Sequence, residues 1–251
     1  MNKDEWVEKA MQVGLNGDAR GAIQALVKLS ELIGEVEGAE LAKVHRDKRE
    51  AFTLAYRRWI LRLEADEVNK VLSVGLSGGA KSYRDVASSE GVAAYDRVAD
   101  LFDCVDFKPG SHFVLVGAGE LPMTALHVHD RSQVGAIKCL DTRRAAVARV
   151  SALGEWMNSD RLVGVLSDGA IYDYSEADTV FIANMVSPKA NVLSRILDTA
   201  KPSVQIILRD PYSLGHLWAE AGSQVLDERV EVAAVGPGSR FLSRDLFLRC
   251  L

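Results

Sequence analysis

The chain has 251 residues, 48% of them hydrophobic, and its 30 basic residues against 35 acidic ones leave a net charge of −5. That size allows one large core or two small ones, and mild acidity without a basic stretch argues against nucleic acid as the main partner. The charged start, Met1-Asn-Lys-Asp-Glu-Trp6, lacks the apolar core of a signal peptide, and no stretch approaches the roughly twenty apolar residues of a membrane span, so a cytoplasmic protein without a membrane partner is expected. From Trp6 to about Val74 the pattern is helical, with apolar residues every three or four positions in Ala22 to Ile33 and again from Leu41 through Ala55, Trp59, Leu63 and Val68. Asp18 suits an N-cap after the Asn16-Gly-Asp turn, and Gly34 and Gly75 suit helix ends. Gly75-Leu-Ser-Gly-Gly-Ala-Lys81 reads as a loop, either a cover for a site or a connector. Another helix is expected from Tyr83 or Ser89 to Val105, and Lys108-Pro-Gly110 marks a boundary between a helical domain, 1–110, and a second domain, 111–251.

In the second domain the pattern changes to strands alternating with helices. Phe113 to Val116 is a short apolar run of the kind that forms a buried parallel strand, and it breaks at Gly117 into a run that can start a helix. Gly117 permits a tight turn, Gly119 lets a ligand lie on the backbone, and Pro122 suits a first helical position. A second strand, Val134 to Leu140, ends on Asp141, about twenty residues after the glycines, where nucleotide-binding α/β folds place the carboxylate that binds ribose hydroxyls. Further strands follow at Leu162–Leu166, Thr179–Ala183 and Val204–Leu208, with a helix before the last that Ser187 can cap and Pro188 can open. Val230–Val235 and Asp245–Arg249 flank a short Gly-Pro-Gly stretch, which implies a hairpin and an antiparallel last strand. The expected fold is therefore α/β, a doubly wound Rossmann-like sheet of the class I S-adenosylmethionine-dependent transferase type behind an N-terminal helical domain.

Ligands of such sheets lie outside the carboxyl ends of the strands. Those ends supply the cofactor-binding candidates: Gly117, Ala118, Gly119, Leu121 and Pro122, then Asp141 and Thr142, then Asp168, Gly169 and Ala170, then Asn184 and Met185. Asp141 would accept the ribose hydroxyls, Asp168 the adenine amino group, and Asn184 could reach the methionine end. Taken singly, each polar residue suits a cap or turn equally well. Arg209, at the end of the fifth strand, could clamp a substrate carboxylate or form a surface ion pair. No metal is expected, because His127 and His129 would point apart on a helix, and Cys104, Cys139 and Cys250 fit neither a zinc site nor a disulfide framework.

Phe113-Val-Leu-Val-Gly-Ala-Gly-Glu-Leu-Pro-Met-Thr-Ala-Leu126 resembles the glycine-x-glycine-x-leucine-proline segment of the nicotianamine synthases, and Val180 to Val186, Ser187-Pro-Lys189 and Ile207-Leu-Arg209 are similar to later segments of that family. The short helical N-terminal region looks like its bacterial branch, the aminobutyrate transferases that build opine metallophores such as staphylopine and pseudopaline. The resemblance implies transfer of the 3-amino-3-carboxypropyl group of S-adenosylmethionine to an amine, with histidine the expected acceptor and methylthioadenosine released. Arg62-Leu-Glu-Ala65 resembles the segment carrying the family's acidic pocket residue, which places Glu64 there, and Tyr95 is similar in position to the pocket tyrosine; both are catalytic candidates by that resemblance. Asp66-Glu67 stand where the family has histidine-tyrosine. A small-molecule acceptor and a homodimer are the expected partners. The alternatives are a methyltransferase using the same cofactor and a non-catalytic nucleotide-binding protein.

Overall fold

The computed structural model describes residues 2–74, 82–224, 226–236 and 242–251; the glycine-rich stretch 75–81, read above as a cover or connector, lies outside them. Three helices open the chain: α1 (Lys3–Leu15), α2 (Ala19–Val44) and α3 (Arg49–Val74). Asn2 and Glu5 form a capping box at the start of α1, and the Asp18 carboxylate accepts the Gly21 amide at 2.8 Å to start α2. Gly34 breaks the helical geometry inside α2, with φ +75°, and the helix resumes beyond it. The buried stripe Val7, Met11, Leu26, Leu29 and Phe52 packs on Leu214, Leu217 and Trp218, which belong to the segment after the fifth strand. The first helices therefore build a core of their own against that segment.

The helix expected to run unbroken to Val105 is instead α4 (Ser89–Asp96), a tighter 3₁₀ turn over Arg97–Asp100, and the short α5 (Leu101–Cys104). The tightening aligns residues three apart, and Tyr95, Val98 and Leu101 all face the core. Seven strands follow, β1 (His112–Val116), β2 (Ala136–Asp141), β3 (Leu162–Leu166), β4 (Thr179–Ile182), β5 (Gln205–Pro211), β6 (Val230–Val235) and β7 (Ser243–Cys250), in the spatial order β3-β2-β1-β4-β5-β7-β6. The first five are parallel, and β7 returns antiparallel between β5 and β6, as the terminal hairpin implied. Helices α6 (Met123–Arg131), α7 (Arg144–Trp156) and α8 (Lys189–Thr199) cross between strands. No helix separates β3 from β4; that stretch is too short for two loops and a helix, and Tyr174 fills the face, its hydroxyl donating to the Gly169 carbonyl at 2.9 Å.

Both faces of the sheet are buried, which is why its strands read as continuous apolar runs. Phe113 and Leu115 point into a core with Val68, Val71, Leu126 and Leu153, whereas Val114 and Val116 point into the other with Val180, Val192 and Ile196. Pro122 and Pro188 each stand just before their helix instead of at its first position. At the first, the backbone becomes helical only after the Leu121-Pro122 turn; at the second, Ser187 donates its hydroxyl to Glu220 at 2.6 Å and does not cap α8.

Helix α2 reaches the sheet domain at Gly38, where a Cβ would overlap Ser213 Oγ, a hydroxyl that donates to the Gly34 carbonyl at 2.6 Å. Gly38→Ala is expected to cost about 1–3 kcal/mol through this overlap. Urea unfolding reads it, and an unchanged midpoint would show that the helix does not need the close approach.

Candidate active site

The site begins where β1 ends. Gly117 and Gly119 adopt φ of +76° and +70°, a region that side chains disfavour, and the turn they make is bolted to the neighbouring strand: the Gly117 and Ala118 amides donate to the Leu140 carbonyl at 2.9 and 3.0 Å. Asp141, at the end of β2 and almost fully buried, accepts the Gly119 amide at 3.0 Å through one oxygen and the Arg143 amide at 2.9 Å through the other. A carboxylate has about four lone-pair positions, so two remain for a ligand. A Cβ on Gly117 would lie 2.5 Å from Val186, whereas on Gly119 it would lie 2.7 and 2.9 Å from the carboxylate oxygens of Glu64.

Glu64 is the main surprise of the geometry, since the surface of Gly119 was expected to stand open. It comes from α3, more than fifty residues earlier, and accepts the Glu120 amide, in the glycine turn ahead of α6, at 3.0 Å. Burial is the largest influence on its ionisation, and it outweighs the Glu120 amide and the Arg143 guanidinium; the charges of Glu120 and Asp141 add to it, and together they push the carboxyl up to about 7. Glu120 is held in turn by Arg143 and Arg149 at 3.5 and 3.8 Å. Three carboxylates thus surround one glycine turn with two guanidiniums at its rim. Glu120, Arg143 and Arg149 were not singled out in the sequence, although Glu120 directly follows the glycines and Arg143 follows Asp141 by two.

The other strand ends are mixed. Thr142 and Asp168 are exposed, and Asp168 turns one oxygen to the Ala170 amide at 2.8 Å, leaving the second free for a donor. Gly169 is required by packing, because a Cβ there would lie 2.5 Å from Val116. Asn184 Oδ1 is buried with no hydrogen-bond partner among the described residues, and Met185 packs toward Tyr56 and Trp218. Leu121 and Pro122 are buried beneath the turn.

Two candidates lie elsewhere or are already engaged. The Tyr95 hydroxyl donates to Asp130 at 2.7 Å, and its ring packs on His127 and on Tyr83, so its polar atom is engaged within the chain. Arg209 spends its fork on Asp245, at 2.8 and 3.0 Å, and lies 4.7 Å over the Phe181 ring, so the clamp expected for a substrate carboxylate is filled from within the chain. His127 and His129 lie on α6, where His129 meets Asp130 and Ser159; among the described residues no three His, Cys, Asp or Glu side chains gather as metal ligands. Nor is any described helix long and apolar enough to cross a membrane.

No family model and no curated protein matches the chain. Solved structures do match its fold. A glutamate-to-glutamine variant of MtNAS, a nicotianamine synthase, in complex with S-adenosylmethionine is 15% identical, covers 100% of this chain and 98% of its own, and superposes with a TM-score of 0.77. MtNAS in complex with MTA and tNA is 14% identical over 98% of this chain and 97% of its own, with a TM-score of 0.72. The mitomycin 7-O-methyltransferase MmcR is more distant, 13% identical over 92% and 84%, with a TM-score of 0.52. The chain therefore shares its fold with MtNAS: a mostly parallel Rossmann-like sheet behind a helical N-terminal region.

The raised Glu64 pKa has a sign that can be checked. A carboxyl near 7 in the folded protein and near 4.5 unfolded favours folding while protonated, and this contribution is lost as pH rises through 7. Glu64→Gln, neutral at every pH, is therefore expected to be more stable than the parent at pH 8, by on the order of 2–3 kcal/mol, with the difference vanishing below about pH 4.5. Melting curves across that range test it; equal stability at pH 8 would place Glu64 in water.

Proposed function

We propose that this chain transfers the 3-amino-3-carboxypropyl group of S-adenosylmethionine to the amine of an amino acid, releasing methylthioadenosine. The observation that carries the reading is Glu64: a half-buried carboxylate, poised near neutrality, held directly on the glycine turn that follows β1. The full-length fold likeness to a nicotianamine synthase solved with S-adenosylmethionine supports the cofactor. So does the electrostatics, because Glu64, Glu120 and Asp141 favour a cationic ligand, and the sulfonium of S-adenosylmethionine is one whereas the thioether left after transfer is neutral.

The residues present fit such a ligand. The spare lone pairs of Asp141 suit two ribose hydroxyls, the spare oxygen of Asp168 suits an adenine amino group, and the orphaned Asn184 Oδ1 suits an ammonium. Bound there, S-adenosylmethionine would supply an activated carbon next to sulfur. The acceptor amine forms a bond to that γ-carbon as the carbon–sulfur bond breaks and its electron pair goes to sulfur. The proton shed by the amine passes to Glu64, whose pKa near 7 keeps it able to accept at neutral pH. Which of the three carbons on sulfur is attacked is then a matter of where the amine is held. The acceptor we assign is histidine and the role a step in metallophore synthesis, both resting on the resemblance to the bacterial aminobutyrate transferases.

The likeness to a mitomycin methyltransferase favours one rival, methyl transfer. Chromatography of the protein incubated with S-adenosylmethionine and amino acids separates the two: methylthioadenosine is expected, and S-adenosylhomocysteine alone would overturn the proposal. Glu64→Gln should lower turnover roughly a hundredfold even at saturating cofactor, and should also weaken S-adenosylmethionine at pH 8, where the parent's charge faces the sulfonium. The parent's turnover should fall with acid below pH 7, at the lowered pKa that Glu64 has beside the sulfonium, and this limb should be missing from the residual rate of the variant. A parent profile with the same acid dependence as the variant's would remove Glu64 from the chemistry.

A further inference from the structure

Beside the glycine turn lies a groove of about 430 Å³ that no step above uses. One wall is α3, with Arg49, Thr53 and Arg57; the other is Met185, just past β4, together with Trp218 and Glu220. We infer that this groove receives the carboxylate of the acceptor amino acid and that Arg57 is its specificity-determining residue. The inference rests on the transferase reading for the amine end, and on the groove's own geometry for the carboxylate end.

Thr53, Arg57 and Glu64 are four and seven residues apart in turn, so all three lie on one face of α3, with Arg57 two turns, about 10 Å, from Glu64. An extended arginine side chain covers much of that gap and leaves room for a molecule of amino-acid size. Across the groove, Val186 joins Met185 in the wall and is also the side chain packed over Gly117, so the groove continues from the turn itself. Trp218, which lines it, is held by stacking on Tyr56 at 5.0 Å.

The donors point to an anion. Arg49 is fixed by one bond to the Ala219 carbonyl at 2.9 Å, and exposed Arg57 presents a second guanidinium. Trp218 is only 2% exposed, yet its indole Nε1 has no acceptor among the described residues, a buried donor that a ligand oxygen would satisfy. Two planar forks and one indole N–H suit a carboxylate. The two acids present do not cancel this: Glu220 is engaged by the Ser187 hydroxyl at 2.6 Å and the Lys189 amide at 3.3 Å, and Glu50 is exposed at the rim. With the amine at Glu64 and the carboxylate at Arg57, the site selects α-amino acids over simple amines.

Matched pairs test this by binding alone: histidine against histamine, lysine against cadaverine and tyrosine against tyramine, titrated calorimetrically into the protein loaded with methylthioadenosine, which has no group left to transfer. The parent should prefer at least one amino acid over its amine, and Arg57→Ala should weaken that amino acid about tenfold to a hundredfold, with the amine and the cofactor unaffected. Arg57→Lys should recover part of the loss. Unchanged cofactor affinity certifies that each variant is folded. Equal binding of every pair by the parent, or parent-like amino-acid binding by Arg57→Ala, would overturn the inference. Discrimination without methylthioadenosine release would instead sink the transferase reading and leave the groove as an amino-acid site.

Discussion

Glu64 meets the backbone of Gly119 and Glu120, and through that contact the helical region and the sheet become one site. Everything that positions α3 serves it. One turn beyond, Glu67 accepts the Ser88 amide at 2.6 Å and the Tyr83 hydroxyl at 3.3 Å, tying α3 to the start of α4. Three turns before, Phe52 packs against Trp218, and α2 closes over the same segment through Gly38 and Ser213. A carboxylate delivered by a helix anchored at both sides is held in place before any ligand arrives, which is how preorganised sites avoid reorganisation during reaction.

The same arrangement explains why that carboxylate is not an ordinary one. Burial disfavours its charge, Glu120 and Asp141 disfavour it further, and one backbone amide with the Arg143 guanidinium compensates only partly. Asp141 meets two amides and Arg143 besides, and Glu120 two arginines, whereas Glu64 accepts one amide. Such a turn prefers a ligand that brings positive charge, and loses that preference once the charge is gone. On the proposed function, binding a sulfonium and releasing a thioether would follow from one electrostatic cause.

The sheet was legible in the sequence because both its faces are buried: uninterrupted apolar runs such as Phe113–Val116 and Val180–Ile182 leave little else for those segments to be. The terminal hairpin showed itself through Gly-Pro-Gly, and the glycine turn through its place between strand and helix. What stayed hidden depends on partners distant in the chain. Tyr95 is matched to Asp130 and Arg209 to Asp245, pairs separated by 35 and 36 residues, and the second is fixed only by the register of β5 against β7. The groove at Arg57 was equally invisible, since α3 shows no strong apolar face and gives no sign of which side meets Trp218.

The central claim is that Glu64 stands at the glycine turn as an acid near neutrality and faces the charge of the cofactor. Carbon-13 NMR of the labelled glutamate carboxyls, with Glu64 assigned through Glu64→Gln, measures this directly. The account predicts a Glu64 midpoint of about 7 in the free protein, and a fall when S-adenosylmethionine brings its sulfonium beside the carboxylate. A midpoint near the ordinary 4.5, unmoved by S-adenosylmethionine, would contradict it.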